Sequence, residues 1–340
     1  MTTPGRSCPL HYRHAPSSFA GPPAWHGEVL YVVGGLYGNE AALQRVLQLF
    51  ERERGAKRLV FNGDFHWFDA EPNTFARINR QVLAHDALRG NVETELAGEP
   101  SDADDDDFGC GCAYPDWVDD SVVEHSNQIM RRLRACAQAL PGAASALAAL
   151  PMWRRVDVGP LRLAIVHGDA ESLAGWGFAQ EHLRDAGHRQ RVAGWFEAAQ
   201  VDAFACSHTC LPVFQSLDRP RQSTPGLVLN NGAAGMPNFR GDWAAGLLTR
   251  VALRPFTGPQ RRFGLRQGPV FIDALAIDID LPRWHQQFLA LWPPGSAGHN
   301  SYWSRLRNGP DYALADALRV ASGSLADQAG ARTPAALITP

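Results

Sequence analysis

The feature that most constrains the fold is a series of short apolar runs that end in glycine next to a polar residue. These runs alternate with stretches in which apolar residues share one helical face, as Leu43, Val46 and Leu47 do after the first run. Strands that alternate with helices predict a layered α/β core. In such a core, ligands bind beyond the carboxyl ends of the strands. The predicted strands lie at residues 29–33, 58–61, 161–166, 202–206, 227–229, 245–253 and 269–279.

Several predicted strand ends deliver polar residues to what should be one rim of the molecule. A glycine with a polar neighbour is common turn chemistry, so each end alone says little. Together they offer one carboxylate, one amide oxygen and two imidazoles, a donor set suited to Mn, Fe or Zn. A neutral amide oxygen also keeps the negative charge low enough for an anionic substrate. The strand ends are Gly63-Asp64, Gly90-Asn91, His167-Gly168, His208-Thr209 and Asn230-Asn231-Gly232.

Six stretches, in order along residues 29–250, resemble the motifs of the calcineurin-like metallophosphoesterases. They read GGLYGNEAAL, NGDFHWFD, LRGNVE, VHGD, CSHTCLP and NNGAAGMP. The family motifs read G-D-x-H-G-N, G-D-x-x-D or G-D-x-x-N, G-N-H-E or G-N-x-D, H-G, G-H-T-H-x-P and N-P-G-S-x-G-x-P. The resemblance implies an α/β fold, the calcineurin-like four-layer αββα sandwich, with two mixed β-sheets flanked by helices. It also implies hydrolysis of phosphate esters by a metal-activated water.

The resemblance further implies which residues hold a metal. One metal falls on Asp64, Asn91, His167 and His208, and each of these positions carries the residue type that the family uses. Asp64, Asn91 and His167 are also predicted to be catalytic, together with Tyr37. We therefore predict one divalent transition metal, Mn, Fe or Zn, at this set of residues.

The other metal of the family would use positions that here carry Gly35, Tyr37 and Cys210. Gly35 has no side chain to offer. A phenol, with a pKa of about 10, ligates only a strongly acidic metal such as ferric iron, so Tyr37 either completes a second site or packs at the rim. Cys210 is predicted as a further metal ligand, since a thiolate binds zinc well. It could be supported by Cys206, Cys110 and Cys112, or these cysteines could fill the core.

The third motif also departs from the family pattern, because Val92 replaces a histidine thought to protonate the leaving group. Glu93 could act as the acid instead, or orient Asn91. His66 and Asp69 are further candidates, although the aromatic neighbours of His66 favour a packed side chain. Five arginines within residues 250–266 could contact an anion, or could form a solvated face.

Composition and the extent of the resemblance together divide the sequence into three parts. Residues 1–28 are proline-rich and predict an extended arm, residues 29–255 form the metallophosphoesterase-like domain, and residues 256–340 form a C-terminal extension packed on the core or continuing it. Within the domain, residues 93–124 are predicted to be an acidic, cysteine-containing insertion with the block Asp104 to Asp107. Helices are predicted at residues 120–150, with a break at Pro141-Gly142, and at residues 281–292 and 313–326.

Composition narrows the function classes. The net charge of −3 does not favour nucleic acid or an anionic membrane as partner, and no stretch approaches the roughly 20 apolar residues of a membrane span. Without an apolar leader at the start, we expect a cytoplasmic protein whose six cysteines are thiols or metal ligands rather than a disulfide framework. The expected partner is a phosphorylated small molecule or another phosphoester.

Three functions remain open from the sequence. The first is a divergent metal-dependent phosphoesterase, a phosphoric ester hydrolase. The second is a catalytically degenerate relative that binds or regulates. The third is a zinc or iron protein with other chemistry. Four intact ligands of one metal favour the first, whereas the loss of aspartate at Gly35 favours the second, because a two-metal displacement needs that acid.

Overall fold

A computed structural model describes residues 4–6, 9–98, 109–241 and 246–320 of the 340-residue chain. Its strands are β1 Trp25–Gly27, β2 Val29–Val33, β3 Lys57–Asn62, β4 Asp86–Leu88, β5 Trp153–Val158, β6 Leu161–Val166, β7 Ala203–Cys206, β8 Val213–Leu217, β9 Gly226–Asn230, β10 Gly246–Ala252, β11 Arg261–Gln267, β12 Val270–Ile277 and β13 Leu318–Arg319. Its helices are α1 Glu40–Glu51, α2 Pro72–Val82, α3 Asn91–Ala97, α4 Asp120–Ala139, α5 Ala143–Ala148, α6 Ala186–Ala199, α7 Leu281–Leu291 and α8 Ala297–Asn308.

The strands form two mixed sheets. The first has the order β11-β12-β10-β2-β3-β4, with β2, β3 and β4 parallel to one another and β10, β12 and β11 joined to them by antiparallel pairing. The second has the order β1-β5-β6-β7-β9-β8-β13, in which β6, β7 and β9 are parallel. Parallel strands end at the same edge, so each sheet brings several strand ends to one side of the molecule.

Alternation along the strands explains the layers. In β2, Leu30 and Val32 pack in the core between the two sheets, whereas Tyr31 and Val33 face the helices on the other side. In β7, Ala203 and Ala205 join the inter-sheet core. Phe204 and Cys206 instead pack under α6. The predicted four-layer sandwich of two mixed sheets between helices is confirmed.

The helix predictions have mixed outcomes. The break between α4 and α5 lies at Pro141-Gly142, where Gly142 has φ of 79°, and α7 occupies the predicted span. A helix over residues 313–326 is wrong for its described part, because residues 314–316 form a 3-10 turn and β13 then pairs with β8. The remaining residues of that predicted helix, and the acidic block Asp104 to Asp107, lie outside the described residues.

The predicted N-terminal arm contacts the core closely. Within residues 1–28, Tyr12 and Phe19 are fully buried, and β1 pairs in parallel with β5 at the edge of the second sheet. Aromatic burial of this kind fastens the segment to the fold, so its described part is not a loose extension.

The arginine-rich stretch is not a solvated face throughout. Arg250 is buried in β10, where its guanidinium pairs with Glu53 at 2.6 Å and with Asp273 at 3.1 Å. Arg261 pairs with the same Asp273 at 2.7 Å. This part of the stretch is therefore a buried ion-pair network, which the spacing of the arginines did not reveal.

Among the helices of the described residues, none is long and apolar enough to span a bilayer.

Candidate metal centre

The rim of the two sheets carries the predicted metal ligands. Asp64 follows β3 after one glycine, and Asn91 begins α3 just beyond β4. From the second sheet, His167 directly follows β6 and His208 lies two residues beyond β7. The strand register brings these ends together, although they are far apart in the sequence.

Four polar atoms of these residues converge on one point. The Nε2 atom of His167 lies 3.3 Å from Asp64 Oδ2, 3.2 Å from Asn91 Oδ1 and 3.2 Å from His208 Nδ1. All four side chains are buried. The ligand atoms of Asp64, His167 and His208 lie within 4.8 Å of one another, the geometry of a group that can hold a metal ion.

Each ligand side chain is anchored to the protein by a further contact, and for Asp64 this is the Val92 N–H, which donates to Oδ1 at 3.3 Å. His167 Nδ1 donates to Asn62 O at 2.9 Å, and His208 Nε2 donates to Cys112 O at 3.1 Å, which assigns both tautomers. The amide nitrogen of Asn91 donates to Cys110 O at 2.8 Å, so its oxygen faces the centre. The lone pairs of two imidazoles, one amide and one carboxylate therefore point at each other, which is favourable only around a cation.

The pKa shifts of the ligand side chains agree with this geometry. Burial lowers the pKa of His167, but the Asp64 carboxylate and its hydrogen bond outweigh burial, and the net pKa is raised. Burial and the neighbouring His167 lower the pKa of His208 to about 4. Burial alone would raise the pKa of Asp64, yet the charge of His167 leaves it lowered. The raised pKa of His167 means that its surroundings favour a positive charge, as they would favour a bound metal cation.

Glycine is required at position 90, where the loop after β4 meets the loop after β3. A Cβ on Gly90 would lie 2.3 Å from Asp64 Oδ1 and 2.9 Å from His167 Cε1. Asp64 itself has a left-handed backbone, with φ of 51°. Strain of this kind is found where a fold must aim a functional side chain.

Glu93 has a positioning arrangement rather than the geometry of an acid. Its two carboxylate oxygens accept from the backbone N–H groups of Asp64, Phe65 and Gly90 at 2.7, 3.0 and 2.9 Å. The residue is fully buried. Both oxygens are directed at these backbone groups, so the carboxylate ties the two ligand-bearing loops together.

His66 and Asp69 form a separate buried pair. His66 Nδ1 lies 2.6 Å from Asp69 Oδ2, and its ring stacks on Phe75 at 3.8 Å between centroids. The packed arrangement favoured for His66 is what the structure shows.

Tyr37 and Cys210, two of the three positions that the resemblance assigns to a second metal, contact each other. A Cβ on Gly35 would lie 2.7 Å from Tyr37 Cε2, so the tyrosine ring occupies the space that a ligand at position 35 would need. The Tyr37 hydroxyl lies 2.7 Å from Cys210 Sγ. Burial raises the pKa of both the Tyr37 phenol and the Cys210 thiol. The pair therefore forms a neutral contact beside the four converging ligands.

The cysteines do not assemble into a common site within the described residues. Cys110 and Cys112 form a disulfide, which corrects the expectation of thiols for this pair. Cys136, Cys206 and Cys210 are free thiols, and Cys206 is buried in β7. The sequence analysis expected thiols or metal ligands for all six cysteines, and the spacing of Cys110 and Cys112 alone did not indicate a disulfide.

The loop of Cys110, Gly111 and Cys112 covers the ligands instead of binding metal through sulfur. Its carbonyl oxygens hold the outer ends of Asn91 and His208, as described above, and Cys112 O also accepts from Trp176 Nε1 at 3.1 Å. The insertion thus folds over the rim and contributes backbone carbonyls, a role that residue types alone cannot reveal.

A cavity of about 190 Å³ opens onto the converging ligands. Its walls include five tyrosine and tryptophan side chains, and one arginine, Arg305, borders it from α8. Sequence reasoning missed Tyr302 and Arg305, because nothing in the local pattern of residues 297–308 connects α8 with the rim. The aromatic residues are Tyr37, Trp67, Tyr114, Trp176 and Tyr302.

Comparison with known structures identifies the fold. A metallophosphoesterase from Sphaerobacter thermophilus aligns with a TM-score of 0.52 and 15% identity, over 83% of this chain and 100% of that chain. The chain has the calcineurin-like metallophosphoesterase fold. A hypothetical protein from Pyrococcus horikoshii OT3 aligns with this fold equally well, with a TM-score of 0.52 and 12% identity over 83% of this chain and 99% of that chain. No family model and no curated protein matches the sequence.

Proposed function

We propose that this protein is a divergent metal-dependent phosphoesterase with one divalent transition metal held by Asp64, Asn91, His167 and His208. The observation that carries the proposal is the convergence of four lone pairs whose side chains are all fixed from behind. Two nitrogen and two oxygen donors suit Mn, Fe or Zn. When bound, the metal would supply Lewis-acid activation of the phosphate ester and of water.

The protein's own residues would orient the reaction. The Asn91 amide, held by Cys110 O, and the Asp64 carboxylate face the cavity in which the substrate would lie. Aromatic side chains around the cavity limit the access of bulk water and strengthen the electrostatic attraction of an anion. The expected substrate is a phosphorylated small molecule or another phosphoester.

A second candidate is a catalytically degenerate protein that binds or regulates. The specific observation in its favour is the Tyr37 ring, which fills the space next to Gly35 where a second metal would need a ligand. Ligation by Cys210 would require its Sγ to leave the contact with the Tyr37 hydroxyl. The two candidates predict different turnover of phosphate esters, but both keep the metal held by Asp64, Asn91, His167 and His208.

The first test is the metal content of protein never exposed to chelator. We expect about one equivalent of transition metal, and Asp64→Asn should abolish it. Manganese at about 100 times its Kd should stabilise the protein by about 2.7 kcal/mol, a rise in Tm of roughly 3–6 °C. No metal together with no shift in Tm would overturn the proposal.

Two control variants make the test specific. His188→Ala removes a histidine that also bonds to a backbone carbonyl, Gly177 O at 2.6 Å, but lies outside the four ligands, so metal content should not change. Cys210→Ser tests whether the Cys210 thiol is a metal ligand, because the substitution lowers metal affinity only if the sulfur binds the metal. Assays of phosphate monoesters, diesters and dinucleotides with Mn, Fe and Zn then distinguish the enzyme from the degenerate protein.

A further inference from the structure

Arg305 borders the cavity beside the residues that replace the second metal. It lies on α8, and its Nη2 atom donates to Cys210 O at 2.7 Å while its Nε atom donates to Pro237 O at 3.2 Å. These two bonds fix the guanidinium next to Cys210. Among the described residues, no carboxylate forms an ion pair with Arg305, and its Nη1 atom has no hydrogen-bond partner.

The net charge of the proposed metal site leaves a role for the Arg305 guanidinium. The four proposed ligands carry one negative charge, from Asp64, since a histidine ligates as the neutral imidazole. A single divalent metal therefore gives the centre one net positive charge, less than the two negative charges of an ionised phosphate monoester. A second metal would add charge, but the structure puts Tyr37 and Cys210 in that place.

The surroundings favour an anion at Arg305. Tyr302 precedes Arg305 by three residues on the same helix, and it lines the cavity with Trp67 and Tyr114. Such walls lower the local dielectric constant and strengthen the attraction between a guanidinium and an oxyanion. The planar guanidinium can also donate two parallel hydrogen bonds to phosphate oxygens.

We propose that Arg305 is the second phosphate-binding cation of this site and supplies the positive charge that another metal ion would supply. The phosphoryl group would lie between the metal at Asp64 and the guanidinium, with its oxygens shared between them. This inference rests on the proposed function and deepens it, because it states how the site binds a phosphate ester with one metal. It also gives α8, in the C-terminal part of the chain, a role in the site.

The test is the affinity of manganese-loaded protein for inorganic phosphate, measured by calorimetry at constant ionic strength. Arg305→Met should weaken phosphate binding by roughly 10- to 100-fold, the loss of a charge-assisted hydrogen-bonding pair. Metal content should stay at about one equivalent. Arg307→Met is the matched control, because Arg307 lies on the same helix and is exposed, and it should change neither quantity.

A purely structural role for Arg305 makes a different prediction. If the guanidinium only joins α8 to the loop of Cys210, Arg305→Met would lower Tm and leave phosphate affinity unchanged, and the inference would be overturned while the proposed function stands. Arg305→Gln provides a second variant, since its amide can still donate to a carbonyl but carries no charge. It should fold and still lose phosphate affinity. Wild-type protein that holds no metal would remove the proposed function and this role of Arg305 with it.

Discussion

Glu93 offers a sharp test of how the two ligand loops are held. Its Oε2 atom accepts from the N–H groups of Asp64 and Gly90 at 2.7 and 2.9 Å. Its Oε1 atom accepts from Phe65 at 3.0 Å and more weakly from His66 at 3.4 Å. The side chain is fully buried, so no water can replace these acceptors.

The perturbation is Glu93→Gln, which keeps the shape and one oxygen but replaces the other oxygen with an NH2 donor. Two buried backbone N–H groups then lose their acceptor. Each unsatisfied buried group costs about 1–3 kcal/mol, so the loss is about 2–6 kcal/mol. Burial and the charge of Asp64 raise the pKa of Glu93, so removal of its charge offsets part of this loss. We expect a net destabilisation of about 2–4 kcal/mol.

The matched control is Glu71→Gln. Glu71 also accepts two backbone N–H groups, from Asn73 and Thr74 at 2.9 and 2.8 Å, but it does so at the N-terminus of α2 near the surface. Water can take over both donors there, so we expect a loss of no more than about 1 kcal/mol. The comparison contrasts a buried carboxylate that accepts backbone N–H groups with one that does so near the surface.

The assay is urea unfolding of the metal-free proteins, followed by a manganese titration of each. Glu93→Gln should also weaken metal binding by roughly 10- to 100-fold, because Asp64 is held in its left-handed backbone by these bonds. If Glu93→Gln and Glu71→Gln lost the same small amount of stability, the carboxylate would not be holding the loops. Equal metal affinity in wild type and Glu93→Gln would refute the positioning role separately.

Three further predictions concern other parts of the site and fold. Gly111→Ala should lower manganese affinity by roughly tenfold or more in titration, because its Cβ would meet Tyr12 Oη and displace the loop that anchors two ligands. Arg250→Met should destabilise the protein by about 3–5 kcal/mol in urea unfolding, since Glu53 loses its ion-pair partner and the buried Asp273 keeps only Arg261. Gly35→Asp together with Tyr37→His should add a second equivalent of metal by elemental analysis, whereas Gly35→Asp alone should lower Tm, because its Cβ would lie 2.7 Å from the tyrosine ring. Unchanged metal content in the double variant would show that the second site cannot be restored from these positions.

The positions of seven strands along the chain, and the residues at their ends, could be predicted from the sequence. Apolar runs, glycines and the polar residues after them are local signals, and parallel strands end at the same edge. This reasoning placed Asp64, Asn91, His167 and His208 at one rim, and the structure brings the other three within 3.3 Å of the His167 Nε2 atom. The binding of metal by these residues stays a proposal.

Contacts between distant segments could not be predicted in this way. The sequence alone determined a layered α/β core with a ligand-bearing rim, because periodicity and turn chemistry act over a few residues. Only the tertiary structure decided that the Tyr37 ring fills the space beside Gly35, that the Cys110 and Cys112 carbonyls anchor two ligands, and that Arg305 reaches the cavity. Each of these depends on packing between segments far apart in the chain, which leaves no local pattern to detect.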